Sequence, residues 1–314
     1  KIKKLSKIFI EDYFQKLNIY NKDTKKINKK SMGLDFNKMF SLRNNLDDNN
    51  IQNNLDDKNK IAIEIMDDVL KQDMRAGADE FSILNYIEET NSVMRWMLNS
   101  ALYAKDMGNE YCEVIDIVAI FLIKVYRDYE MLPVVAELIF QRNRNDLYAH
   151  ELIWAFFQSY DVDSLKFICD RLSSNDKKSK ELACALLSFI PNINEYANNN
   201  KSFYAKKWID NNKDYIFFTD DSKHARSKPV YCKLNLDGKY LGEIVNKKTG
   251  KIISDLENDD KKRLKEFKKL DEDEKIILSS YSFKLKKLNL DKWLKWINYS
   301  INDQIAIAKR GILI

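Results

Sequence analysis

The sequence predicts a mainly α-helical protein: a central array of helical hairpins, then a small antiparallel β-hairpin element and C-terminal helices. Three observations point there. The 314 residues include only 7 Gly and 3 Pro, too few of the residues that punctuate a turn-rich all-β chain. Apolar residues recur at three- and four-residue steps from Ile61 onward, the period of one helix face. One segment also repeats itself at an offset of thirty residues, the kind of echo that stacked helical units leave.

Residues 1–60 read as a basic, Asn-rich arm or linker. The first thirty hold ten Lys against Glu11, Asp12 and Asp23, with a short helix expected around Ile8–Leu17. SLRNNLDDNNIQNNLDDKNK follows, too polar to bury much surface, with Leu46, Ile51 and Leu55 as sparse anchors. Its Leu46-Asp47-Asp48 and Leu55-Asp56-Asp57 echo lacks the Gly and distal Glu of a calcium-binding loop, so these aspartates are turn and helix-cap residues.

Residues 61–213 read as the helical repeat domain. Ile61, Ile65 and Val69, then Phe81, Leu84, Ile87, Met94, Met97, Leu98 and Ala101, mark a pair of amphipathic helices. The run from Val114 to Tyr126 is apolar on nearly every side, which predicts a helix in the middle of a bundle and is too short to cross a bilayer. NDLYAHELIWAFF from Asn145 then matches NDKKSKELACALL from Asn175, with identities Asn145/Asn175, Asp146/Asp176, Glu151/Glu181, Leu152/Leu182 and Ala155/Ala185. An amphipathic segment precedes each copy, and in the second Val162, Leu165, Ile168, Cys169 and Leu172 form one stripe.

The second copy resembles the second helix of a HEAT repeat: Asp176 at the N-cap, Lys178 and Lys180 at the basic positions, Ala183, Leu186 and Leu187 facing inward. The first copy departs from that pattern at Tyr148 and His150. The resemblance covers residues 130–192, with 61–128 as degenerate repeats, and implies an α-solenoid.

Residues 214–314 read as a small α+β region. β-branched and aromatic residues in YIFFTDD and KPVYCKLNLDGKYLGEIVNKKTGKIIS are split by Asp237-Gly238 and Thr249-Gly250. An Asp-Gly between such runs is a hairpin signal, predicting a sheet between about Lys228 and Ser254. A charged helix is expected over Asp259–Leu270 and another near Glu274–Lys286. A last helix from Asn289 places Leu290, Trp293, Ile297, Ile301, Ile305 and Ala308 on one side and stops at Gly311. Repeats, a TGK-bearing sheet, a Lys-rich helix and a Trp helix, in that order, resemble the C-terminal part of bacterial HEAT-containing proteins of the molybdate-metabolism-regulator type. That resemblance implies no chemistry.

Few residues suggest catalysis. GxxxxGK[ST], GxGxxG, HExxH and GxSxG do not occur. Cys112, Cys169, Cys184 and Cys232 have no CxxC spacing and the histidines are His150 and His224 alone, so no metal site or cofactor is expected and the thiols read as buried and reduced. Asp220, Asp221, His224 and Arg226 form the one polar loop suited to phosphate or a metal ion, with a solvated loop the plainer account.

Lys and aromatic residues interleave in KSFYAKKWI and KLKKLNLDKWLKW. Trp208, Lys206, Lys207, Trp293, Trp296, Lys292 and Lys295 are therefore the binding candidates, able to grip phosphates and stack bases. The plainer account buries the three rings while the Lys side chains snorkel outward. With 53 basic and 48 acidic residues, net +5, the chain lacks the charge excess of a dedicated nucleic-acid module. The expected function is a non-enzymatic protein-interaction scaffold with another protein as partner; nucleic-acid binding is the alternative. No membrane partner and a cytoplasmic location are expected, because no apolar run approaches a membrane span.

Overall fold

The computed structural model describes residues 34–43, 55–74, 87–105, 108–196, 198–223 and 225–312. Among the described residues the chain is mainly helical with one small two-stranded antiparallel sheet. It divides into two compact units, Lys1–Ser159 and Tyr160–Ile314.

In the first unit the helices are α1 (Phe36–Leu42), α2 (Asp57–Met74), α3 (Ile87–Ala101), α4 (Asn109–Ile120), α5 (Leu132–Arg144) and α6 (His150–Phe157). Ala62, Ile65, Met66 and Val69 of α2 are buried against Val93, Met94, Met97 and Leu98 of α3, the stripe that three- and four-residue spacing requires. Phe81 and Leu84 of the expected pair lie outside the described residues.

Part of the expected arm belongs to this core. Phe36, Met39, Phe40 and Leu55 are buried, with the Phe40 ring 5.0 Å from Tyr111 and Phe36 5.7 Å from Trp96. Asn59, also buried, donates to Leu34 O and accepts from Leu34 N, each at 3.0 Å. Composition hid this, because few but large aromatic anchors were enough. Asp56 accepts from Asn59 N at 2.8 Å, the expected cap. Residues 1–33 and 44–54, with the expected Ile8–Leu17 helix, lie outside the described residues.

The apolar run from Val114 packs as expected, with α4 against α2, α3 and α6. It is not one regular helix, however, since a π turn over Phe121–Val125 follows Ile120. Tyr126 N donates to Phe121 O at 2.9 Å, one residue beyond the α-helical reach.

In the second unit α7 (Leu165–Arg171), α8 (Lys177–Leu186) and α9 (Asn198–Asn212) lead into β1 (Ile216–Phe218) and β2 (Cys232–Leu234). There follow α10 (Leu236–Leu241), α11 (Asn258–Phe267), α12 (Glu272–Leu288), α13 (Leu290–Trp296) and α14 (Ile301–Ile312). The stripe Val162, Leu165, Ile168, Cys169 and Leu172 is buried, as are Ala183, Leu186 and Leu187. Asp176 caps α8 by accepting from Ser179 N at 2.7 Å. Its counterpart Asp146 does not cap: it sits at φ +57, and α6 starts only at His150 with no side-chain cap. The echo diverges in burial too, since Ala155 is buried and Ala185 exposed.

The sheet pairs Ile216 with Leu234 and Phe218 with Cys232. Asp237-Gly238, expected as a hairpin turn, instead lies inside α10. Asn235 Oδ1 accepts from Gly238 N at 2.6 Å and Gly242 ends the helix at φ +70, a cap and stop that override the turn signal. Thr249-Gly250 does turn: Gly250 at φ +69 lets Val245 and Ile252 bridge.

The expected last helix is broken into α13 and α14. Asp303 N donates to Ser300 Oγ at 3.3 Å to start α14, and Gln304 Nε2 donates to Ile297 O and Tyr299 O, both at 3.0 Å, in the turn between them. Gly311 is no stop either, because α14 runs through it to Ile312. A Cβ there would come within 2.5 Å of the Tyr281 ring, so the glycine lets α14 approach α12.

The core of this end is tied by a buried chain of hydrogen bonds. Trp293 Nε1 donates to Ser282 Oγ at 2.7 Å, Ser282 to Tyr240 O at 2.5 Å, and Tyr240 to Gln304 Oε1 at 2.7 Å. Tyr240 stacks on Phe267 at 4.3 Å. Beside it on α10, Lys239 is only 7% exposed and its ammonium has no carboxylate or hydrogen-bond partner among the described residues. Its ammonium lies 5.6 Å from the Phe283 ring centre, and burial pushes its pKa down to about 8.

Candidate functional site

The Lys/Trp candidates near the C-terminus separate by face. Residues three apart on α13 point the same way, so Trp293, Trp296 and the following Ile297 turn into the core and are buried. Lys292 and Lys295 are exposed. The rings are committed to packing: Trp296 lies 5.2 Å from Tyr281, and Lys286 covers Trp293 at 4.5 Å. Leucine is exposed beside that buried face, Leu290 at 53% and Leu294 at 48% on α13 and Leu288 at 73% at the end of α12, and Lys284, Lys287, Lys292 and Lys295 of the same two helices are exposed as well. Leu290, three residues before Trp293, was expected on the buried side of α13; instead Leu290 and Leu294 lie at the edge of that side and are exposed.

On α9, Trp208 is half-buried with its ring 5.9 Å from Phe189. Lys206 pairs with Asp170, and Lys207 is exposed with its ammonium 5.9 Å from the Phe203 ring. Phe203 is 70% exposed, and Tyr196 stacks on Tyr204 at 3.7 Å nearby in sequence. The accessible ring of this segment is therefore Phe203 rather than Trp208.

In the polar loop Asp221 is used structurally. It accepts from Val230 N at 3.0 Å and from Ser222 N at 3.1 Å, and pairs with Arg226 at 3.0 Å, closing the loop on itself. Asp220, at φ +55, accepts from the Tyr160 hydroxyl at 2.8 Å. His224 lies outside the described residues. Among the described residues no group of three or more His, Cys, Asp or Glu could hold a metal ion, and no helix is long and apolar enough to cross a membrane. The four cysteines are free thiols, Cys169 and Cys232 buried, Cys112 and Cys184 half-buried.

Sequence reasoning missed a cleft in the first unit. About 500 Å³ in volume, it is lined by Lys105, Tyr111, Cys112, Gln141, Arg142 and Asn145 over an apolar wall that includes Ile115, Leu138 and Leu147. Arg142, buried, is gripped from three sides: Asp116 Oδ1 at 2.5 Å, Tyr148 O at 3.1 Å and Cys112 O at 3.0 Å. Burial pushes the Asp116 carboxyl up to about 7 against the downward pull of Arg142, with Glu151 and Glu113 adding to the rise. Burial also raises the Cys112 thiol, again partly offset by Arg142. These residues come from three helices and the links between them, so no local motif announces the cleft.

The chain matches no family model, no curated protein and no solved structure.

Proposed function

We propose that the chain is a non-enzymatic protein-interaction scaffold built on HEAT-like helical hairpins, and that it docks a partner through the exposed leucines where α12 meets α13. The observation that carries this reading is the exposed Leu288, Leu290 and Leu294 set among lysines. Clustered apolar side chains left in water favour association, and the surrounding ammonium groups select a partner whose apolar strip is rimmed by carboxylates. The packed pairs α5 with α6 and α7 with α8 are consistent with hairpin units, and Asp221, spent on closing its loop, offers little to catalysis.

A pull-down with a size measurement on the whole chain tests it. The wild type should run as an assembly that Leu290→Asp with Leu294→Asp reduces to monomer, with an unchanged melting temperature. A partner-free, monodisperse wild-type monomer would count against the scaffold.

A second reading rests on α9. An exposed Phe203 beside Lys207 can stack a base and hold a phosphate, which fits single-stranded nucleic acid. That affinity should fall steeply with salt and drop in Phe203→Ala; no binding at low ionic strength eliminates it.

A further inference from the structure

We propose that the cleft at Lys105 and Arg142 is a binding site for a small organic anion with an apolar body. The charge of its lining is one-sided: Lys105 and Arg142 are cationic, and no described lining residue carries a carboxylate. Lys105 is exposed and has neither ion pair nor hydrogen bond among the described residues. Arg142 is partly balanced from behind by Asp116, and that carboxyl is the one burial drives toward its neutral form.

The Arg142 guanidinium is also already in place. Its bonds to Cys112 O, Tyr148 O and Asp116 hold the group rigid before any ligand arrives, which lowers the entropy lost on binding. A planar, fixed guanidinium and an exposed ammonium in one lining suit a carboxylate, sulfonate or phosphate head. The Asn145 side-chain amide, without a hydrogen bond among the described residues, adds a neutral donor. Behind them Ile115, Leu138 and Leu147 offer an apolar wall, and about 500 Å³ falls within the range of small-molecule pockets.

The experiment uses the full chain and two dyes that differ chiefly in charge, anilinonaphthalene sulfonate and neutral phenylnaphthylamine. The sulfonate should bind at one equivalent, and Lys105→Glu should weaken it by about tenfold while changing the neutral dye less than about twofold. Saturating sulfonate should slow alkylation of Cys112, which lines the cleft, and leave Cys184 alone. Leu138→Trp, which fills the wall, should abolish binding of both dyes; if that variant does not fold, the Lys105 and Cys112 results still decide. Equal loss of both dyes in Lys105→Glu, no loss of either, or an unprotected Cys112 overturns the proposal.

Discussion

Asp116 shows how a single buried carboxyl can govern stability against pH. Its folded pKa is raised to about 7 because desolvation outweighs the Arg142 guanidinium, whereas an unfolded Asp titrates near ~3.9. The native state therefore holds the proton more tightly than the unfolded chain does. Its stabilising contribution is full below the unfolded pKa and is lost as pH rises through about 7. The urea midpoint of the wild type should drop between pH ~5 and ~8, and Asp116→Asn should remove much of that drop; identical profiles for the two proteins would contradict it. None of this is legible in the sequence, where Asp116 is one acid within an apolar run. The shift comes from burial in the folded chain, which the Arg142 guanidinium, 26 residues away, only partly offsets.

Helix ends carry the next lesson. Asp146 and Asp176 are matched in sequence, yet Asp176 is the N-cap of α8 while Asp146 sits at φ +57, ahead of the start of α6. Asp176→Ala should cost about 1 kcal/mol in chemical denaturation; an unchanged midpoint would mean that this cap adds nothing. The interiors of helices were readable for a simple reason: burial follows spacing, so the inward stripe of α7 and the inward Trp293 and Trp296 were legible. Ends were less so, because they depend on competing local bonds. Asp237-Gly238 carried a turn signal that Asn235 and Gly242 overrode, and the long C-terminal helix broke where Gln304 reached back to Ile297 and Tyr299. The candidate sites fared likewise: Lys exposure followed from spacing, whereas the cleft needed three helices to converge.

At the scale of the molecule, the buried residues around Tyr240 form one cluster drawn from α10–α14, and that predicts where damage spreads. Gln304→Leu leaves the Tyr240 hydroxyl and the Ile297 and Tyr299 carbonyls short of a partner, a loss of about 2–3 kcal/mol. Hydrogen exchange should quicken in α10–α14 and stay unchanged in α2–α6; acceleration in both units would show that their stabilities are coupled.

Lys239 combines low basicity with poor access. An amine with its pKa near 8 has given up its proton in about half the molecules at that pH, and only the free lone pair attacks an acyl donor or an aldehyde. Yet the same crowding that liberates the lone pair leaves the side chain only 7% exposed, against the face of Phe283. In the folded chain the better nucleophile is thus the worse target, and acylation of its lysines is governed by reach rather than basicity.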